Sequence, residues 1–280
     1  MSTAAAWYQA VQATRGVCRK RLPALIAAIP PTLALAFLGA LSGAFSVSGA
    51  VNAAETACPA TPAAPLSLPH LRAALNSGTE GLIVALGSSS TVGVMASDLA
   101  HSYPAELQSA LSDALPRSHI AVINRGVGGQ DAPEELARLD ADVIALRPSL
   151  VVWQVGANGA LRNADPAAFR RMVTEGVRRL QAAGADVILM DSQHSPRILA
   201  SAEHAAMDES LAAAARDTGA NLFSRGELMD AWAQEGAPEA EFIAADGLHH
   251  NDRGYFCIAH ALAADLVVGV HRSLPLSASR

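Results

Sequence analysis

A hydroxyl, an imidazole and a carboxylate are the groups from which a nucleophilic active site is built, and this 280-residue chain offers all three beside glycine-rich turns. The apolar run Leu82-Ile83-Val84-Ala85-Leu86 ends in Gly87 and then in the hydroxyl cluster Ser88, Ser89, Ser90 and Thr91. One of these serines is the candidate nucleophile. Near the other end, Asp246-Gly247-Leu248-His249 puts a carboxylate three residues before a histidine. In a loop that spacing lets the acid hold the Nδ1 proton, so that Nε2 is left to take a proton from a serine. Each group alone has a plainer reading. Serine-rich turns often only cap the next helix, and Asp246 can make a turn while His249 or His250 caps the helix after it.

Other polar groups stand at the ends of apolar runs. Asn124-Arg125-Gly126-Val127-Gly128-Gly129-Gln130-Asp131 has three glycines in four positions, which let a bare N–H approach a ligand. In Gly156-Ala157-Asn158-Gly159 the asparagine amide can donate to an oxyanion, or can simply make a left-handed turn. In Asp191-Ser192-Gln193-His194-Ser195-Pro196, Gln193 and His194 are expected to line the substrate crevice, the plainer reading being a solvated loop. No metal and no cofactor is expected. The glycine spacing is neither a dinucleotide nor a Walker motif, no H-E-x-x-H or cysteine cluster occurs, and the adjacent His249 and His250 cannot easily share one ion. Lys20 is the only lysine, which excludes a lysine nucleophile beyond the N-terminal segment.

These groups need a scaffold that brings strand ends together. From Gly81 onward, strand-like runs at 82–87, 119–124, 149–155, 185–190 and 220–223 alternate with helical segments near 104–115, 132–146, 166–183, 201–218, 226–235 and 252–269. Alternation of this kind makes a parallel sheet with crossover helices, and right-handed crossovers place helices on both faces. Asp165-Pro166 is an N-cap followed by proline at the first helical position, and Gly184 is a C-terminal stop. In such sheets ligands bind at the C-terminal ends of the strands, where the candidate groups fall.

Taken together, Gly87-Ser88-Ser89 with Thr91, the Asn124 to Gly129 block, Gly156-Ala157-Asn158, and Asp246-Gly247-Leu248-His249 followed by Asn251 and Gly254-Tyr255 resemble the SGNH (GDSL-type) hydrolase superfamily over about residues 80–270. The resemblance implies a flavodoxin-like three-layer α/β/α sandwich with a five-stranded parallel sheet, and ester hydrolysis through an acyl-enzyme. It implies Ser89 as nucleophile, His249 as general base and Asp246 as its orienting acid, with the Ser89 N–H, the Gly129 N–H and the Asn158 amide in the oxyanion hole. The chain departs from the pattern twice. Gly-Asp-Ser reads Gly87-Ser88-Ser89, and Gly-x-Asn-Asp reads Gly156-Ala157-Asn158-Gly159. No Gly-x-Ser-x-Gly elbow follows the first strand, which disfavours an α/β-hydrolase.

Composition sets the surroundings. Residues 1–53 hold Arg15, Arg19, Lys20 and Arg21 but no acid, and the chain then runs uncharged from Leu22 to Ala54. Basic, then apolar, then small residues make a secretory signal, with an uncleaved anchor as the alternative and a periplasmic or secreted location in either case. Residues 54–79 are a proline-rich linker and lead-in, 80–272 the hydrolase domain and 273–280 a tail. Beyond residue 53 there are 16 basic (20 less 4) and 26 acidic residues, about −10 net, so nucleic acid is not an expected partner. Cys58 and Cys257 can pair in an oxidising compartment or stay as two thiols. Aromatic residues make up 4% of the chain, too few for a long sugar-stacking platform. The expected partner is a small acyl ester or an acylated glycan. An acyltransferase with the same triad, or a silent glycan-binding protein, are the alternatives.

Overall fold

The computed structural model describes residues 57–64 and 66–271. The signal expected at 1–53 and the tail at 273–280 lie outside the described residues. In chain order the elements are α1 (Pro69–Asn76), β1 (Gly81–Gly87), α2 (Ser89–Val92), α3 (Tyr103–Ala114), β2 (Ile120–Gly126), α4 (Ala132–Ala137), α5 (Leu139–Asp142), β3 (Leu150–Gln154), α6 (Ala157–Leu161), α7 (Pro166–Ala182), β4 (Asp186–Met190), α8 (Pro196–Leu199), α9 (His204–Thr218), β5 (Asn221–Phe223), α10 (Arg225–Gln234) and α11 (Asp252–His271).

The five strands form one sheet in the order β2-β1-β3-β4-β5. Every pairing is parallel. This is the flavodoxin-like order, whose direction of winding reverses between β1 and β3 and opens a crevice there. The expected fold class is the one found.

Alternation along each strand splits the core in two. Ile83, Ala85, Leu150, Val152, Ile188 and Met190 face one layer, built from α1, α3, α10 and α11. Val84, Leu86, Val151, Trp153, Val187 and Leu189 face the other, built from α4, α5, α7 and α9. Buried on both sides, the central strands β1, β3 and β4 read in sequence as largely continuous apolar runs, while the edge strands β2 and β5 are half-buried. The last helix, α11, is long and apolar enough to cross a bilayer by length and composition alone. It is a core helix instead, with Ile258, Leu262 and Leu266 buried in the first layer.

Three expectations meet local corrections. The helix expected at 132–146 is broken at Arg138 and Val143, both of which leave helical dihedrals, so that Arg138 turns back toward the strand ends. The short helices α2, α6 and α8, of four or five residues, give no periodic signal at that length. The proline-containing stretch before α1 has no regular structure over 57–64 and 66–68, yet it is packed. Leu66 and Leu68 are buried, the Ala64 N–H donates to Asp265 Oδ1 (2.6 Å), and the Trp232 indole donates to Thr61 Oγ1 (3.0 Å). A disulfide joins Cys58 to Cys257, 199 residues away on α11.

Candidate active site

β1 ends at Gly87, and the chain turns at once into α2, so Ser89 stands at the first helical position above the sheet rim. The turn is crowded. A Cβ at Gly87 would lie 2.8 Å from the Gln154 carbonyl oxygen of β3, and one at Gly126 would lie 2.8 Å from the Thr91 carbonyl carbon. Both positions need glycine because backbone passes backbone there.

The Ser89 hydroxyl meets His249 Nε2 at 2.8 Å, across 160 residues of sequence. On the far side of the ring, Nδ1 meets Asp246 Oδ2 at 2.6 Å. Asp246 Oδ1 accepts from the backbone N–H groups of Leu248 and His249, each at 3.0 Å, which fixes the carboxylate within its own turn. Burial pushes the Asp246 carboxyl up, but the hydrogen bonds from the His249 ring and these two N–H groups outweigh it and hold the group below its ordinary range. An ionised Asp246 facing Nδ1 leaves Nε2 as the acceptor for the serine proton. The three residues expected as a triad are thus brought into one hydrogen-bonded line.

The expected oxyanion donors lie on the neighbouring strand ends. Gly129 follows β2 with φ +78°, and Asn158 is the second residue of α6, just beyond β3. The N–H groups of Ser89 and Gly129 make no hydrogen bond within the protein among the described residues. The Asn158 amide donates one proton to the Gln130 carbonyl (2.7 Å), which pins it beside the Gly129 loop and leaves its other N–H for a ligand. Two arginines brace the same loop. Arg138 reaches Gly87 O (3.1 Å) and Gln130 Oε1 (2.6 Å), and Arg162 donates to Gly129 O (2.5 Å). Neither arginine was singled out by sequence, because nothing local marks a side chain that serves a loop elsewhere.

Both departures from the SGNH blocks have a local account. Ser88 is buried, and its N–H and hydroxyl both donate to Gln154 Oε1, at 3.2 and 3.1 Å, as does Thr91 Oγ1 at 3.2 Å. Serine therefore ties the nucleophile turn to β3 without a buried charge. At residue 159 a Cβ would sit 2.9 Å from Asp131 Oδ2. The space where the family's second acid would start is filled here by a carboxylate from the β2 loop, whose pKa is raised by burial.

The two residues expected to line the crevice are both held by partners within the protein. Gln193 is buried, its amide donating to Leu248 O (2.7 Å) and its oxygen accepting from Arg225 (2.7 Å), so both ends of the amide are held by the protein. His194 stands between Asp208 and Asp230, with Nδ1 2.9 Å from Asp230 Oδ2 and Nε2 3.7 Å from Asp208 Oδ2. Hydrogen bonding to Asp208 leads in pushing its pKa up to about 9, against burial and with Asp230 adding to the rise. Among the described residues no cluster of three or more His, Cys, Asp or Glu side chains is arranged to hold a metal ion.

Comparison with known proteins accords with this geometry. Residues 55–272 match the Non-GDSL lipase-like family. Esterase TesA of Pseudomonas aeruginosa is 33% identical over 75 residues, 27% of this chain and 37% of that protein, so the chain spans only about a third of that relative. Among solved structures, a two-domain esterase active on acetylated mannans superposes with TM-score 0.62 at 21% identity, covering 77% of this chain and 58% of that one. The acetylxylan esterase Axe2 of Geobacillus stearothermophilus superposes with TM-score 0.54 at 20% identity, covering 66% and 94%. With its sheet order, its site and the match over nearly the whole folded region, the chain belongs to the Non-GDSL lipase-like family, a branch of the SGNH/GDSL-like hydrolases.

Proposed function

We propose that this protein is an exported serine esterase that removes small acyl groups, acetyl or short-chain, by way of an acyl-enzyme on Ser89. The observation that carries the reading is the continuous line from Asp246 through His249 to Ser89, at 2.6 and 2.8 Å. As Ser89 Oγ attacks the ester carbonyl carbon, its proton passes to His249 Nε2, and the imidazolium that forms is stabilised by Asp246. The carbonyl π electrons move onto oxygen, which the N–H groups of Ser89 and Gly129 and the free Asn158 N–H receive. Collapse expels the alcohol, protonated by His249. A water activated by the same imidazole then releases the acid and frees Ser89.

Two structural relatives are described as esterases of acetylated mannan and of acetylated xylan, which supports an acylated glycan as the natural substrate class. The Cys58–Cys257 disulfide supports an oxidising compartment outside the cytoplasm. A glycan-binding protein without turnover has no need of an aligned serine, histidine and aspartate. The test is hydrolysis of p-nitrophenyl acetate, butyrate and octanoate by the purified protein and by its Ser89→Ala variant. Turnover of the shorter esters that vanishes in the variant is expected, and a folded wild type at background on all three esters refutes the esterase.

A further inference from the structure

His249 lies between α10 and α11 on a loop that belongs to no strand of the sheet and closes on itself through an isolated antiparallel bridge, Ile243 to His250. The segment just ahead of the base is held from outside by the Arg197 N–H of α8, which donates to Gly247 O at 3.0 Å, and by one side chain. Gln193, beyond the end of β4, donates its amide to Leu248 O at 2.7 Å, the carbonyl of the residue preceding His249. Its oxygen accepts from Arg225 Nη2 at 2.7 Å, and the same nitrogen donates to the Asp191 carbonyl at 2.8 Å. Arg225 is the first residue of α10 and is wholly buried. The Asp191 carboxylate ties the same two segments together, accepting from Ser224 Oγ (2.6 Å) and from the Gly226 N–H (3.0 Å). A connected path therefore runs from the start of α10, through Arg225 and Gln193, to the backbone beside the base.

A buried guanidinium is a costly way to hold a helix in place. Burial itself pushes the Arg225 pKa down, and its Nε and Nη1 have no hydrogen-bond partner among the described residues. An apolar side chain of similar volume packs as well or better where only packing is at stake. What an apolar side chain cannot do is set the direction of the Gln193 amide. With its oxygen taken by a cationic donor, Gln193 must present its N–H₂ end to Leu248 O.

We propose that Arg225 and Gln193 are positioning residues for the general base, Arg225 orienting Gln193 and Gln193 holding the Leu248–His249 backbone so that Nε2 stays on Ser89 Oγ. The proposal rests on the reading of His249 as the base of an esterase. Misplacement of a catalytic group by about 1 Å costs on the order of 100-fold in rate, so a clamp one residue away acts mainly on kcat.

The variants are Gln193→Leu, which removes both hydrogen bonds at similar volume, and Gln193→Glu, which keeps the acceptor for Arg225 but has no proton for Leu248 O. Arg225→Met is the third. Kinetics on p-nitrophenyl acetate are read beside the proton resonance of His249 Nδ1–H in ¹⁵N-histidine-labelled protein, assigned by its loss in His249→Ala. Both Gln193 variants are expected to lower kcat about 10- to 100-fold with KM within about twofold, and to broaden or shift the Nδ1–H resonance. A sharp, unshifted resonance in both overturns the proposal, as does a loss confined to KM, which would make Gln193 a substrate contact. If Arg225→Met does not fold, the Gln193 pair decides. If the wild type hydrolyses nothing, the esterase reading fails separately and the resonance alone decides the clamp.

Discussion

The two sides of the candidate site are positioned by different means. The candidate nucleophile and oxyanion donors closely follow strand ends: Ser89 two residues beyond β1, Gly129 three beyond β2 and Asn158 four beyond β3. Their spacing follows from the sheet, since paired parallel strands keep a register that backbone hydrogen bonds enforce. The candidate base and its acid stand on a loop that crosses to the site from α10. Beyond its own backbone bonds and one from the Arg197 N–H to Gly247 O, side chains hold it: Asp246 within the turn, Gln193 from beyond β4, and Arg225 behind Gln193. A site half on sheet and half on loop draws its precision from two sources. Polar side-chain networks are the more vulnerable source, because one lost partner strands a buried group.

The comparison can be broken first at the base. Asp246→Asn keeps the shape but allows the wrong tautomer, and is expected to lower kcat by about 10⁴-fold, measured on p-nitrophenyl acetate. On the sheet side, Asn158→Ala removes one oxyanion donor and is expected to cost about 100- to 1,000-fold in kcat, with KM little changed. An Asn158 variant as damaging as Asp246→Asn would mean that the amide's bond to Gln130 O holds the Gly129 loop in place even with the Arg138 and Arg162 braces intact.

Cys58 and Cys257 bear on the scaffold alone. Replacing both with serine should cost about 2–5 kcal/mol of stability in denaturant unfolding, since a long closed loop is released in the unfolded chain. The kcat of the protein that remains folded should not move.

The smallest effects are on pH dependence, and they have opposite sign on the two sides. Next to the base, burial first and then the Arg225 charge push His250 down from 6.5 to about 3. Between those values the unfolded chain binds the proton and the folded one does not, so stability falls as pH drops from about 6.5 toward 3. Across the sheet, Glu135 lies buried under β3 and accepts from the Trp153 indole at 2.7 Å. Burial pushes its pKa from 4.5 up to about 8, so the folded chain holds a proton that the unfolded one has lost, and stability falls as pH rises through that range. Unfolding midpoints measured from pH 4 to 8 should lose the acid-side slope in His250→Gln and the alkaline-side slope in Glu135→Gln.

Particular residues show how much was legible beforehand. The strand cores at 82–86 and 150–154 were readable because both faces are buried, and 120–124, on the half-buried edge strand, because Ile120 to Ile123 form an unbroken apolar run. Ser89, Gly129, Asn158, Asp246 and His249 could be picked out as candidates because each sits in a short block whose order along the chain is distinctive, and the structure joins Ser89, His249 and Asp246 by hydrogen bonds. Gln193 and His194 were placed after the right strand, but their protein partners were not foreseen. A strand-end position tells where a side chain starts, and its partners come from Arg225, Leu248, Asp208 and Asp230, which the local sequence does not announce.

By itself, then, the sequence determined the layer architecture, the strands, and the set of groups that could perform acyl transfer. Hydrophobic period, turn residues and short blocks are local properties, complete within a dozen residues. Tertiary structure alone decided that Cys58 bonds Cys257, that Asp131 fills the space at Gly159, that Arg138 and Arg162 brace the oxyanion loop, and that a buried arginine reaches the base through a glutamine. Most of these pairings join residues about 30 to 200 positions apart through one or two hydrogen bonds or a single covalent bond. A contact of that kind is settled by which surfaces the fold brings together, and neither partner's neighbours in sequence carry its mark.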